Sequence, residues 1–104
     1  MRDLQSVEEF QALKLTEDVV FLFTAGWCPD CHFIDPFMPE VEEKFEIFKF
    51  VSVNRDQFID LCAEQEIYGI PSFLVFRNGL EAGRFVSKDR KTKEEIEQFL
   101  TELL

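Results

Sequence analysis

The stretch Thr24-Ala25-Gly26-Trp27-Cys28-Pro29-Asp30-Cys31-His32 sets two cysteines two residues apart, just after a hydrophobic run. That run, residues 19–23, is β-branched and aromatic, which predicts a strand buried on both faces. Apolar residues after the cysteines recur at helical spacing: Cys31, Ile34, Met38, Val41 and Phe45. The sequence therefore predicts a central strand over 19–24 and a helix over 29–45, with the cysteines at their junction.

Cys28 falls at the predicted start of this helix, where unpaired backbone N–H groups favour an anion such as a thiolate. Cysteines in such positions attack disulfides near neutral pH. Cys31 follows almost one helical turn later, so it can close a disulfide with Cys28 and release a reduced substrate. The pair indicates a redox-active dithiol.

Two weaker interpretations of the pair are a zinc half-site and a structural disulfide. A zinc site normally needs a second pair of Cys or His ligands at similar spacing, and the chain has none. His32 and Cys62 could in principle complete four ligands. However, His32 points away from Cys31 on a helix, and Cys62 lies in a helical pattern with Ile59 and Ala63 that predicts a small buried hydrophobe.

The composition limits the function classes. A chain of 104 residues with 46% hydrophobic content and 13 phenylalanines predicts one domain, residues 1–104, with a substantial core. It contains no apolar run long enough to span a membrane and no signal or transit peptide pattern, so we expect a cytoplasmic protein. The net charge of −10 argues against nucleic acid and anionic membrane partners.

Further patterns complete the secondary structure. A short edge strand is expected to end at Leu4, and Ser6 to Glu9 has the form of a capping box that begins a helix. Pro36 and Pro39 should interrupt the helix over 29–45. The other predicted elements are a strand over 47–53, a helix over 56–65, strands over 72–77 and 80–86 joined by a type I′ turn, and a last helix beginning with a second capping box at Thr92.

The predicted helices have apolar faces made of residues at three- and four-residue spacing. These are Val7, Phe10 and Leu13 in the first helix and Ile96, Phe99, Leu100 and Leu103 in the last. The order of elements predicts an α/β protein in which helices cover both faces of a mixed sheet. The dithiol would then lie at the carboxyl end of a central strand, where open α/β sheets place their chemistry.

Nearly the whole chain resembles the thioredoxin family. The shared features are Trp27-Cys28-x-x-Cys31, Pro36 five residues after Cys31, Ile70-Pro71 before a strand, and Asn78-Gly79 in a hairpin. The resemblance implies the thioredoxin fold, with Cys28 as the nucleophile, Cys31 as the resolving thiol and Cys28–Cys31 as the redox-active disulfide. It also implies a cis bond before Pro71, beside which the substrate backbone docks. Substrate contacts are expected from Trp27, Pro29, Asp30, Ile70 and Pro71.

The chain departs from the family at several positions. Leu22 and Ser52 replace a buried aspartate and its lysine partner, so a water, Asp30 or the departing thiolate must take the proton of Cys31. Pro29-Asp30 is similar to the pair found in thioredoxin-related proteins with a WCPDC site, and its carboxylate should disfavour the Cys28 thiolate by repulsion. Ser87 stands where the family has a docking-groove glycine. His32 is expected to be exposed.

These observations predict a thiol-disulfide oxidoreductase that acts mainly as a reductant of disulfide-containing proteins or small molecules. No metal or organic cofactor is expected. The electrons should come from a thioredoxin reductase or a low-molecular-weight thiol, and the protein should be a monomer. A redox-sensitive binding module without efficient turnover is the alternative, and a thiol peroxidase is weaker still because its usual Thr/Ser-x-x-Cys arrangement is not evident.

Overall fold

A five-stranded sheet forms the centre of the computed structural model, which describes residues 1–104. The strands lie in the order β1-β3-β2-β4-β5. Strands β1, β2 and β3 run parallel, β4 pairs antiparallel with β2, and β5 pairs antiparallel with β4. The strands are β1 Arg2–Asp3, β2 Val19–Thr24, β3 Lys49–Asn54, β4 Ser72–Arg77 and β5 Leu80–Phe85.

Five α-helices and one 3₁₀ turn lie between these strands or follow the last of them. They are α1 Val7–Thr16, α2 Pro29–Ile34, the 3₁₀ turn Asp35–Phe37, α3 Met38–Lys44, α4 Ile59–Glu64 and α5 Lys93–Thr101. None of the helices has the length and hydrophobicity needed to span a bilayer.

Two hydrophobic cores lie on opposite faces of the sheet. They bury the central strand β2 on both faces, as predicted. On one face, Phe10 and Leu13 of α1 and Leu61 of α4 pack against the sheet. On the other, α2, α3 and α5 pack through buried residues that include Ile34 and Ile96. The predicted mixed sheet with helices on both faces is confirmed.

Prolines divide the segment after the cysteines, as predicted. Pro36 lies in the 3₁₀ turn that separates α2 from α3, and Pro39 lies in the first turn of α3. A proline in a first turn is tolerated because its missing N–H would have had no helical partner. The hairpin prediction is confirmed as well, since Asn78 and Gly79 both have positive φ, at 57° and 78°.

Some sequence predictions need correction. Ser6 caps α1 by accepting the Glu9 N–H, but the Glu9 carboxylate accepts from the N–H of Gln5, so only half of the expected capping box forms. Strand β3 begins two residues later than predicted, and α4 is limited to Ile59–Glu64. Val7 and Ile59 were expected on buried faces but are 40% and 53% exposed, because short helices at the sheet surface bury only part of a periodic apolar pattern.

Candidate active site

The dithiol lies where β2 ends and α2 begins, at the carboxyl end of the central strand. Cys28 is the N-cap of α2, and Pro29 occupies the first helical position. The Cys28 sulfur accepts the backbone N–H of Cys31 at 3.2 Å. The N-cap therefore uses a sulfur where a hydroxyl or carboxylate usually stands, and this sulfur accepts one of the N–H groups of the first helical turn.

The two cysteines differ in their surroundings. Cys31 is only 1% exposed, and burial, together with a hydrogen bond to Cys28, raises its pKa to about 11. Cys28 borders an open groove of about 580 Å³, which Cys31 does not reach. The two thiols form a small hydrophobic cluster with Ala25, apart from the two main cores.

The groove beside Cys28, called here the active-site groove, collects most of the predicted substrate-contacting residues. Its wall includes Trp27, Pro29, Asp30 and Ile70. Pro71 is buried and does not line it. Sequence analysis missed several other members of the wall, which come from α4 and distant loops: Arg55, Ile59, Cys62, Ala63, Ile67, Tyr68, Gly69 and Lys88.

The peptide bond between Ile70 and Pro71 is cis, as the resemblance implied. The carbonyl oxygen of Ile70 lies 3.9 Å from the Cys28 sulfur. An extended chain in the groove would therefore lie alongside both the Cys28 sulfur and the backbone carbonyl of Ile70.

Trp27 forms one wall of the groove with its side chain 61% exposed. Its indole N–H donates to Asp56 at 2.8 Å, and the Arg55 guanidinium lies 5.9 Å from the ring centroid. These contacts fix the ring in place while leaving its face open, which suits an aromatic surface that contacts substrate.

His32 contacts residues on both sides of the two cysteines, Gly26 before them and Asp35 after them. Its Nε2 lies 2.6 Å from the Gly26 carbonyl oxygen, and its Nδ1 lies 3.3 Å from the Asp35 carboxylate. Both partners are acceptors, and only the imidazolium has two N–H donors. These contacts raise the pKa of His32, first through Gly26 and then through Asp35. His32 is exposed, as predicted, but sequence analysis did not foresee this role.

Asp30 has a partner that sequence analysis also missed. The Nε of Arg90, sixty residues away, donates to Asp30 Oδ1 at 2.8 Å. The same guanidinium lies 4.3 Å from the centroid of the Phe33 ring. A partner this distant leaves no periodic signal in the sequence, so only the fold reveals it.

Uncharged residues, Leu22 and Ser52, occupy the two positions where the thioredoxin family has a buried aspartate and its lysine partner. Leu22 is 3% exposed in the core, and Ser52 lies opposite it in the register of β2 and β3. Buried charge appears elsewhere instead: the Lys91 ammonium, 1% exposed, donates to the Ser87 carbonyl and hydroxyl and to the Asp89 carbonyl. Burial lowers the pKa of Lys91. The Ser87 hydroxyl thus accepts hydrogen bonds from Lys91 and from the Asp89 N–H, both in its own loop.

The alternative of a metal site has no geometric support. No three side chains of His, Cys, Asp or Glu come together as a metal site requires. Cys62 is 4% exposed, and burial raises its pKa, so the predicted small buried hydrophobe describes it well.

Comparison with known proteins agrees with this geometry. The thioredoxin family model matches residues 4–102. Human thioredoxin is 33% identical, with 100% of this chain and 99% of that protein covered. The mitochondrial thioredoxin-2 of Schizosaccharomyces pombe is 32% identical over 88% of this chain and 72% of its own.

Solved structures agree as well. The crystal structure of thioredoxin from Trypanosoma brucei brucei superposes with a TM-score of 0.84 at 27% identity, covering 97% of this chain and 88% of that chain. Since the family model spans nearly the whole chain and full-length relatives share a third of their residues with it, the chain belongs to the thioredoxin family and is a thiol-disulfide oxidoreductase with protein-disulfide reductase activity.

Proposed function

We propose that Cys28 is the attacking thiol of this reductase and Cys31 the resolving thiol. The observation that carries the assignment is the difference in access. Cys28 borders the active-site groove and has its sulfur at the N-cap, whereas Cys31 lies behind it with a pKa raised to about 11. Only the thiolate form of a cysteine attacks a disulfide efficiently. The raised pKa keeps Cys31 as a thiol, so the Cys28 sulfur at the edge of the groove reacts first.

The reaction then proceeds in two exchanges. The Cys28 thiolate attacks one sulfur of the substrate disulfide, forming a mixed disulfide and releasing the other sulfur as a thiolate. Cys31, once deprotonated, attacks the Cys28 sulfur, which forms the Cys28–Cys31 disulfide and releases the second substrate sulfur. Two electrons pass from the dithiol to the substrate.

The proton of Cys31 must leave before the second exchange. Leu22 and Ser52 offer no carboxylate or amine, and the Asp30 carboxylate is engaged by Arg90. The thiolate released in the first exchange is formed in the groove beside the mixed disulfide, so we infer that it takes this proton. The step needs no base from the protein, and its rate should follow the basicity of the departing thiol.

Variants of the two cysteines test the assignment. With dithiothreitol as electron donor, Cys28→Ser should abolish reduction of a model protein disulfide. Cys31→Ser should still attack and should accumulate a mixed disulfide through Cys28, visible by mass spectrometry under non-reducing conditions. A stable mixed disulfide through Cys31 in the Cys28→Ser variant would reverse the two roles.

The cellular setting is also a proposal. We infer a cytoplasmic monomer, one domain over residues 1–104, that receives electrons from a thioredoxin reductase or a low-molecular-weight thiol. The acidic composition supports a soluble partner-exchanging protein, since a net charge of −10 opposes self-association. Light scattering after size exclusion tests the monomer, and NADPH-coupled turnover with a purified reductase tests the donor.

A further inference from the structure

The 87–91 loop, which consists of Ser87, Lys88, Asp89, Arg90 and Lys91, is held against the active site by interior contacts. The Ser87 N–H donates to the Ser72 hydroxyl at 3.3 Å, beside the Ile70–Pro71 bond. Lys91 closes the other end with its three donated hydrogen bonds, of 3.0 to 3.2 Å, to Ser87 and Asp89. The loop between these anchors therefore has a defined path past α2.

Arg90 is the loop residue that reaches the dithiol motif. Its guanidinium bonds to Asp30, the residue between Pro29 and Cys31, and rests on the Phe33 ring. The Arg90 side chain is 53% exposed and that of Asp30 is 34% exposed. A surface ion pair of this kind contributes little to stability, so its importance lies in where its charges stand.

The two charges act on the thiolate in opposite directions. An unpaired carboxylate beside Cys28 would disfavour a second negative charge, and a neighbouring guanidinium would favour it. With Arg90 paired to Asp30, the thiolate meets a nearly neutral group. The thiolate exists only in the reduced protein, so whatever favours it also favours the reduced form and makes the couple more oxidising.

We propose that Arg90 is a positioning residue that sets the reduction potential of the Cys28–Cys31 couple by pairing with Asp30. The proposal rests on the dithiol function proposed above. It adds that the potential is controlled from the 87–91 loop as well as from the residues between the cysteines.

Redox equilibrium with glutathione tests the proposal through the sign of each change. Arg90→Gln leaves Asp30 unpaired and should make the couple more reducing. Asp30→Asn leaves Arg90 unpaired and should make it more oxidising. Each equilibrium constant should change by about twofold to fivefold, which is roughly 10 to 20 mV for a two-electron couple. The double variant should return close to the wild-type value.

Two further variants separate charge from structure. Arg90→Lys keeps the positive charge and should recover most of the wild-type potential. Lys49→Gln removes the same charge from an ion pair with Glu17, 3.3 Å long, at the start of β3 and the opposite end of the sheet, and should leave the potential unchanged. Alkylation of Cys28 by iodoacetamide at pH 7 should slow in Arg90→Gln and quicken in Asp30→Asn.

The possible results distinguish a failure of the Arg90 proposal from a failure of the dithiol function on which it rests. If the wild type equilibrates with glutathione and Arg90→Gln has the same potential, the role of Arg90 is refuted and the dithiol function stands. Shifts of both single variants in one direction would also refute it, since a structural disturbance has no reason to follow the sign of the charge. If the wild-type cysteines do not cycle at all, the proposed function itself fails.

Discussion

Gly69 offers the sharpest test of how the 87–91 loop shapes the active-site groove. A methyl group at this position would lie 2.5 Å from the Lys88 nitrogen and 2.6 Å from the Ser87 carbonyl carbon, both backbone atoms. Ordinary contact begins at 3.4 Å, so the loop would have to move by about 0.9 Å. Backbone held by the hydrogen bonds of Ser87 and Lys91 cannot yield as a flexible side chain does.

Gly69→Ala should therefore act on both stability and activity. Overpacking of this kind costs about 1 to 3 kcal/mol, and each kcal/mol lowers the melting temperature of a domain this size by roughly 4 to 8 °C. Displacing one wall of the groove by nearly 1 Å should raise KM for a protein disulfide by about tenfold or more, since misplacements of this size cost up to roughly 100-fold. A small disulfide, which does not span the groove, should be affected less.

Gly26→Ala is the matched control for this experiment. Gly26 also lies beside the dithiol, but nothing stands within 4 Å of its Cβ position, and it does not need positive φ. Thermal unfolding and steady-state reduction of both disulfides should leave Gly26→Ala close to wild type. Equal melting temperatures and equal KM values for the two variants would refute the claim that close packing of the loop on Gly69 shapes the groove.

Three other residues give further predictions. His32 has its pKa raised above the usual 6.5, so its contribution to stability is complete below about pH 6.5 and lost as the pH rises through the folded-state value. In denaturant titrations, the difference in unfolding free energy between wild type and His32→Gln should shrink as the pH rises above 6.5. A difference that stays constant with pH would contradict this. Lys91→Met removes the buried donor of three part-buried hydrogen bonds and should cost about 1 to 3 kcal/mol of unfolding free energy, whereas Lys88→Met, exposed on the same loop, should cost under about 0.5. Cys62→Ala should leave turnover within about twofold, because buried structural thiols are inert; a larger loss would give Cys62 a part in the chemistry.

Local signals in the sequence predicted most of the fold. The apolar run of β2, the prolines after the dithiol and the Asn78-Gly79 turn all appear where their patterns indicated. Each of these signals depends on near neighbours in the chain, which is why it can be read without a structure. The exposure of Val7 and Ile59 could not be predicted, because it depends on which part of each helix lies against the sheet.

The candidate site was predictable in its chemistry but not in its electrostatics. The cysteines and Pro71 were identified from spacing and resemblance. The Asp30–Arg90 pair and the burial of Lys91 were not, because contacts across the fold carry no local pattern. Sequence reasoning treated Asp30 as an isolated charge, and the structure supplies the opposite charge that balances it.

The separation of the dithiol cluster from both main cores bears on how such a protein can be engineered. Cys28, Cys31 and Ala25 pack as a small unit of their own, with Ile70 against them. Ile70 also packs against the core beneath α1 and α4, whereas the core beneath α2, α3 and α5 has no such shared residue. Because sites without shared partners combine additively, a thermostabilised version could be built first in that second core and its reduction potential adjusted afterwards at the dithiol.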